Sequence, residues 1–275
     1  MQEKMFTIPA PFSLPQTLDC GQAFRWAPVP GHPGAWQGVA QGQALTLWES
    51  QGEVSFACTQ EDFDTLWAPY FDLAEDYAQK YAALSSMSPI LAQAAAFAPG
   101  IRILRQEPWE ALCSFIVSQN NNIPRIKGIL ARLCEGWGQP IPGAGQYAFP
   151  TPQALAGETP ETLAPLRAGY RAKSLIDAAQ KVAAGQVDLT AIAQAPLEDA
   201  RQQLQKITGV GPKVAECALL YGFHRTQCFP LDVWMKRAMQ VLLPGFSPGD
   251  FGGNAGLAQQ LIFHYSRMHP ELFAA

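Results

Sequence analysis

LQKITGVGPKVAECALLYGF (204–223), followed after HRTQ by CFPLDVWMKRA (228–238), decides how this chain folds. A helical pattern ends at Ile207, Gly209-Val210-Gly211 interrupts it, and a second helix starts at Pro212. Two glycines let a backbone turn tightly and approach another backbone closely. Pro212 stands at the first helical position, where an amide would have had no partner anyway. The amides of such a turn and helix start point outward and can hold a phosphate. Lys213 sits in the first turn of the second helix, where the positive end of the helix dipole disfavours an ammonium group. Lysines in such settings serve as amine nucleophiles in Schiff-base chemistry, although a surface lysine gripping phosphate is the plain alternative. Asp232 lies nineteen residues further on, two after Pro230, where aspartate most often caps a helix. Hairpin, lysine and Pro-x-Asp therefore occur in order, bringing an amine and a carboxylate within one short segment.

The 275 residues allow one large domain or two ordinary ones, and 48% apolar content is enough for a sizeable core. Net charge is −4, which at first argues against a polyanionic partner. The distribution argues otherwise. Residues 1–100 hold three Lys/Arg against ten Asp/Glu, whereas residues 101–275 hold sixteen against thirteen, giving −7 and +3. The six cysteines form no C-x-x-C pair, and several, such as Cys113 in ALCSFIV, read as reduced core thiols. The four histidines suggest no metal set, so no metal site is expected. MQEKMFTIPAPFSLPQ lacks an apolar leader region and no apolar run reaches membrane-spanning length. A cytoplasmic location follows as an expectation, nucleoid-associated if the source is prokaryotic.

Two regions differ in pattern. TLWES and EVSFAC alternate around Gln51-Gly52 and predict a hairpin of strands; APVPGHPGAW (27–36) predicts a loop. Residues 61–98 turn helical, with a Ser88-Pro89 start and a Pro99-Gly100 stop. Beyond 101 the pattern predicts successive helices at 108–119, 123–137, 169–185, 196–207, 212–223, 232–243 and 256–269. The expected architecture is α+β: an N-terminal antiparallel sheet domain with flanking helices over 1–100, packed on a mostly helical domain over 101–275 that carries the hairpin.

The hairpin, Lys213 and Asp232 together resemble the helix–hairpin–helix DNA glycosylase superfamily, whose strand-cleaving members carry a lysine at the position of Lys213. Ile-Thr-Gly-Val-Gly stands here where many members have Leu-Pro-Gly-Val-Gly. Four further segments resemble one branch, the 8-oxoguanine DNA glycosylases: LDCGQAFRW (18–26), SFIVSQNNNIPRIKGILARLC (114–134), GYRAK (169–173) and GLAQQLIF (256–263). The resemblance spans nearly the whole chain in the same order. It implies base-excision repair of duplex DNA containing oxidised guanine, with Lys213 as nucleophile and Asp232 as acidic partner. A Schiff base would follow, with associated β-elimination at the abasic site.

The resemblance also implies other roles. Gly21 would offer its carbonyl to the N7–H of the oxidised base, Cys217 and Phe263 would sandwich that base, and Gln259 would bond its Watson–Crick edge. Asn120 would fill the gap in the duplex, Tyr170 would wedge beside it, and Arg125 and Arg171 would read the orphaned cytosine. Gly209 and Gly211 would hold phosphate at the hairpin. Trp234 departs from the family pattern, since many relatives have a phosphate-contacting histidine there; an indole N–H could still donate one hydrogen bond. Each residue has a structural rival: Cys217 and Phe263 as core, the asparagines as cap and loop, Gly21 as a turn, Arg125 as a solvated face residue. A monomer needing no cofactor is expected, with room for a monovalent cation on the hairpin carbonyls. Two other functions compete. A non-catalytic helix–hairpin–helix module would need the glycines but neither Lys213 nor Asp232. A relative directed at adenine or pyrimidines often carries four cysteines after the aspartate, and none follows Cys228 here; an alkylation-type enzyme would lack the lysine.

The charge split generates a first prediction. Affinity for duplex DNA should fall steeply with salt, with a log–log slope near ~4 for about four or five neutralised phosphates. Titration by fluorescence anisotropy at several salt concentrations checks it, and a flat response would remove phosphate-led binding.

Overall fold

The computed structural model describes residues 4–9 and 11–273. Residues 1–3, which open the stretch expected to lack an apolar leader, lie outside the described residues. The N-terminal part is an antiparallel sheet of β1 (Lys4–Pro9), β2 (Trp26–Pro28), β3 (Ala35–Ala40), β4 (Gln43–Ser50) and β5 (Glu53–Cys58). Its spatial order is β1-β5-β4-β3-β2. Gln51 and Gly52 both take positive φ, 52° and 79°, and set Ser50 opposite Glu53. That twist matches the flanking strands, which is why two residues suffice. Alternation then puts Val54, Phe56, Leu45 and Leu47 on one buried face, against Trp26, Trp67 and Phe71.

The rest is helical, as the α+β expectation required. Helix Pro108–Ser118 runs through the middle and is buried from Ala111 to Val117 on every side, the signature of a helix surrounded by others. The hairpin's second helix, Pro212–Gly222, packs along it, and at Gly222 a Cβ would press on the Pro108 backbone. Helices Ile123–Trp137, Arg171–Ala183, Leu197–Leu204, Val233–Leu242 and Ala255–Met268 complete the body. A two-stranded ribbon, Pro140–Ile141 with Gln146–Tyr147, and a short helix, Leu189–Gln194, were not anticipated. Among the described residues no helix is long and apolar enough to cross a membrane.

Two cores meet along a seam. The smaller lies under the sheet; the larger takes in the helical body together with helices Tyr77–Met87 and Pro89–Phe97. Ser88 caps the second of these by accepting from Leu91 N. Cys20 and Phe24 enter the larger core, and Leu104 enters the smaller. The seam is therefore crossed by the chain in both directions around residues 20–26 and 101–106.

Gln22 closes this seam. Its side chain is wholly buried; Nε2 donates to the carbonyls of Thr17 (2.9 Å) and Arg102 (2.7 Å), and Oε1 accepts from Leu104 N (3.0 Å). The Gln22 carbonyl accepts from Gln106 Nε2 at 2.7 Å, and Gln106 N donates to the Tyr221 carbonyl at 2.9 Å. Neighbouring residues add ties: Arg25 pairs with Glu110 at 3.1 Å, and Trp26 Nε1 donates to Tyr70 OH at 2.8 Å.

Replacing Gln22 by Leu would strand the Leu104 amide and the Arg102 carbonyl in a dry interior and leave the Thr17 carbonyl with only the Cys20 thiol. A loss of about 2–4 kcal/mol is expected, at roughly 1–3 kcal/mol per buried unsatisfied group. Urea unfolding checks it; a change under ~1 kcal/mol would show that water or neighbouring groups replace the side chain without cost.

Candidate active site

A cleft of about 570 Å³ opens between the asparagine junction, the hairpin's second helix and the last long helix. Gly21, Phe115, Lys213, Asp232, Phe263 and Trp234 are among the residues that line it. Lys213 Nζ stands 5.7 Å from the centre of the Phe115 ring. An ammonium above an aromatic face is held there electrostatically without a carboxylate to neutralise it. Asp232 caps helix Val233–Leu242: Oδ1 accepts from Met235 N at 2.7 Å. That bond fixes the carboxylate, and its second oxygen remains available to the cleft.

Cys217 and Gln259 do not line the cleft. Cys217 is buried one helical turn beyond Lys213 and is hydrogen-bonded to it; burial pushes the Cys217 thiol up to about 11. A thiol held neutral in this way is a poor nucleophile. Gln259 is buried too, with Oε1 3.3 Å from Tyr221 OH. Tyr221 stacks on Phe115 at 5.1 Å between ring centres. The two residues expected to grip a base thus form the layer directly behind the cleft floor, and Phe115, which reads in sequence as ordinary core, forms that floor.

Gly21 has φ +92°, a region that strains any side chain. A Cβ there would point at Ile123 Cδ1 and Phe263 Cε1, both at 3.7 Å. Its turn is therefore held by Gln22 and faces the cleft.

The hairpin is braced from behind. Gly209 takes φ +82°, and a Cβ would collide with Ser174 Oγ. Asp177 Oδ2 accepts from Thr208 N (2.6 Å) and from Lys181 Nζ (2.8 Å), while Lys181 Nζ also donates to the Lys206 carbonyl at 2.6 Å. Helix Arg171–Ala183 thereby fixes the turn. Gly211 has open space beside it.

At the asparagine junction two of three asparagines are structural. Asn121 Nδ2 donates to the Val117 carbonyl at 3.0 Å, and Asn122 caps the next helix by accepting from Arg125 N at 3.0 Å. Asn120 is exposed with φ +46°, and Nδ2 lies 3.5 Å from Tyr170 OH. Tyr170 is 57% exposed. Arg171 requires a correction to the expected base-reading role. It is buried, and its guanidinium donates to the carbonyls of Gln119, Asn120 and Ala168. In this structure it shapes the loop that presents Asn120. Arg125 is exposed, with one long bond of 3.4 Å to the Arg167 carbonyl.

Trp234 requires a second correction. The indole N–H expected to reach a phosphate donates instead to Ser266 Oγ at 2.9 Å, and the ring packs on Phe273. Among the described residues no cluster of three or more His, Cys, Asp or Glu could hold a metal ion.

Comparison with known proteins agrees with this arrangement. Residues 5–112 match the family model for the 8-oxoguanine DNA glycosylase N-terminal domain, and residues 113–244 match the HhH-GPD superfamily base excision DNA repair protein model. The structure of MBOgg1 in complex with a low-affinity DNA ligand superposes with TM-score 0.90 at 37% identity, covering 98% of this chain and 100% of that one. The Clostridium acetobutylicum 8-oxoguanine glycosylase/lyase, solved with duplex DNA carrying cytosine opposite 8-oxoG, gives 0.87 at 35% identity over 94% of this chain and 93% of that one. The N-glycosylase/DNA lyase of Saccharomyces cerevisiae is 41% identical over 152 residues, which cover 50% of this chain. The chain spans 40% of that yeast relative and 64% of one from Methanothermobacter thermautotrophicus. With whole-chain similarity to both solved structures and the hairpin, lysine and aspartate at one cleft, the chain belongs to the 8-oxoguanine DNA glycosylase family of the helix–hairpin–helix superfamily.

Proposed function

We propose that this protein is a bifunctional DNA glycosylase and abasic-site lyase that excises 8-oxoguanine from duplex DNA. The observation that carries this reading is the meeting of Lys213, Asp232, Gly21 and Phe263 on one cleft. A base stacked in a duplex cannot reach such a cleft, so its nucleotide must flip out. The Lys213 amine then attacks C1′, and the glycosidic bond breaks with its electron pair leaving on the base, which takes up a proton. Asp232 stabilises the positive charge that builds on the sugar, as carboxylates do for oxocarbenium-like states. The amine–sugar adduct opens to a Schiff base; loss of the C2′ proton expels the 3′ phosphate and nicks the strand. The non-catalytic module explains neither the uncompensated lysine nor the carboxylate across from it.

Recognition follows the same geometry. Oxidation at C8 turns guanine N7 from acceptor into donor, and the Gly21 carbonyl can accept from it. Opposite the lesion, Asn120 and Tyr170 occupy the gap and Arg125 reads the estranged cytosine, while Arg171 supports them from beneath. The Thr208 and Val210 amides are committed to Asp177 and the Ile207 carbonyl, so the hairpin would offer a phosphate the amides of Gly209 and Gly211. The reading requires no cofactor and leaves room for a monovalent cation on the hairpin carbonyls. The working unit is a monomer on duplex DNA, and the buried cysteines suit a reducing cytoplasmic compartment or nucleoid.

Borohydride should trap the enzyme on a duplex containing one 8-oxoguanine. Lys213→Gln should abolish trapping and keep binding, and Asp232→Asn, which preserves the cap, should lose most turnover, at least about a hundredfold. Undiminished trapping by the lysine variant would assign the nucleophile elsewhere.

A second prediction concerns discrimination. In the Lys213→Gln background, Gly21→Ala should reduce the preference for lesion over normal duplex by about tenfold, because an unpaired polar group in the pocket costs roughly 1–3 kcal/mol. Competitive binding checks it, alongside thermal melting to separate strain at φ +92° from recognition. Full preference in a folded variant would move the discriminator away from Gly21.

A further inference from the structure

Arg267 lies on helix Ala255–Met268, one turn beyond Phe263, so the two share a face. It lines the cleft and is exposed, and its guanidinium carbon stands 5.3 Å over the Phe263 ring. No described residue gives it an ion pair or a hydrogen bond. The surrounding groups have other commitments. Lys213 rests over the Phe115 ring, and Trp234 donates its N–H to Ser266, the residue just before Arg267. Asp232, the one carboxylate among the described lining residues, repels an anion inside the cleft.

A flipped nucleotide carries its base inward and leaves its phosphates at the mouth. Those phosphates need a cation outside the reaction centre, on the rim, with free donors. We propose that Arg267 supplies it: the planar guanidinium, kept flat by the Phe263 ring beneath, grips a lesion-strand phosphate next to the flipped nucleotide. This replaces the contact that Trp234 cannot make, and it fixes the strand on the same helix face that walls the base. The inference rests on the glycosylase reading. Its rival is a solvated arginine that merely covers Phe263.

The test uses the full chain with Lys213→Gln, and duplexes carrying one 8-oxoguanine in which each phosphate flanking the lesion is replaced in turn by a methylphosphonate. Arg267→Ala should weaken binding to the unmodified duplex by about tenfold, the effect of one charge-assisted contact, and lower the salt slope by about one. One methylphosphonate should cost the parent about tenfold too and cost the alanine variant almost nothing further. Arg267→Lys should restore the salt slope and part of the affinity. Losses that multiply at every flanking phosphate, or an alanine variant as tight as the parent, would overturn the assignment. The parent's preference for lesion over normal duplex reports separately on the glycosylase reading.

Discussion

Gln106 holds the two halves of the site together. Its side chain donates to the Gln22 carbonyl, next to the Gly21 turn, and its backbone N–H donates to Tyr221, near the end of the lysine helix. Gly21 lies where the N-terminal part of the chain crosses into the larger core and Lys213 belongs to the helical body, so the bonds at the crossing help set their separation. Catalysis tolerates errors of little more than ~0.5 Å in such constellations. Apolar packing alone lets side chains slide, whereas a buried hydrogen bond has one length and one direction. Gln22 and Gln106 convert a packed seam into a fixed one. The buried amide groups cost desolvation, and the bonds they make to backbone offset it, since the Arg102 carbonyl, the Leu104 amide and the Gln22 carbonyl are main-chain groups that need partners anyway.

The same economy marks Asp232, which caps its helix: one oxygen is tied to Met235 N, which pins the carboxylate, and under the proposed mechanism the other is the one that would meet charge developing on the sugar. Preorganisation of this kind stabilises a transition state without reorganisation during the reaction. Lys213 rests over an aromatic ring rather than against a carboxylate. A tight ion pair with Asp232 would tie up both side chains, whereas an aromatic face holds the amine more loosely.

The sequence made backbone-dictated features legible. Gly-Val-Gly, Pro212 and the Asp232 cap each carry a local steric or hydrogen-bonding requirement, and the Gln51-Gly52 turn does the same for the sheet. Less legible were side chains whose partners are main-chain atoms far along the chain. Arg171 beside Tyr170 reads as a DNA contact, yet its guanidinium ends on carbonyls some fifty residues away, and a carbonyl has no sequence signature. Phe115 sits in an apolar run indistinguishable from core. Arg267 sits in a polar stretch, SRMH, where only its helical spacing from Phe263 marks it out. Cys217 and Gln259 are buried behind the residues that line the cleft, a depth that neither helical phase nor family resemblance specifies.

Trp234 and Ser266 change the electrostatics of the cleft more than its shape. A histidine at the first position would titrate near neutrality and couple its charge to the amine and the carboxylate. An indole donating to a hydroxyl carries no charge at any pH. Among the described lining residues the ionisable groups are then Lys213, Asp232 and Arg267, and an arginine does not deprotonate in a protein. The charge of Arg267 is thus constant, and no histidine stands among the described lining residues to couple a change of charge to the amine and the carboxylate.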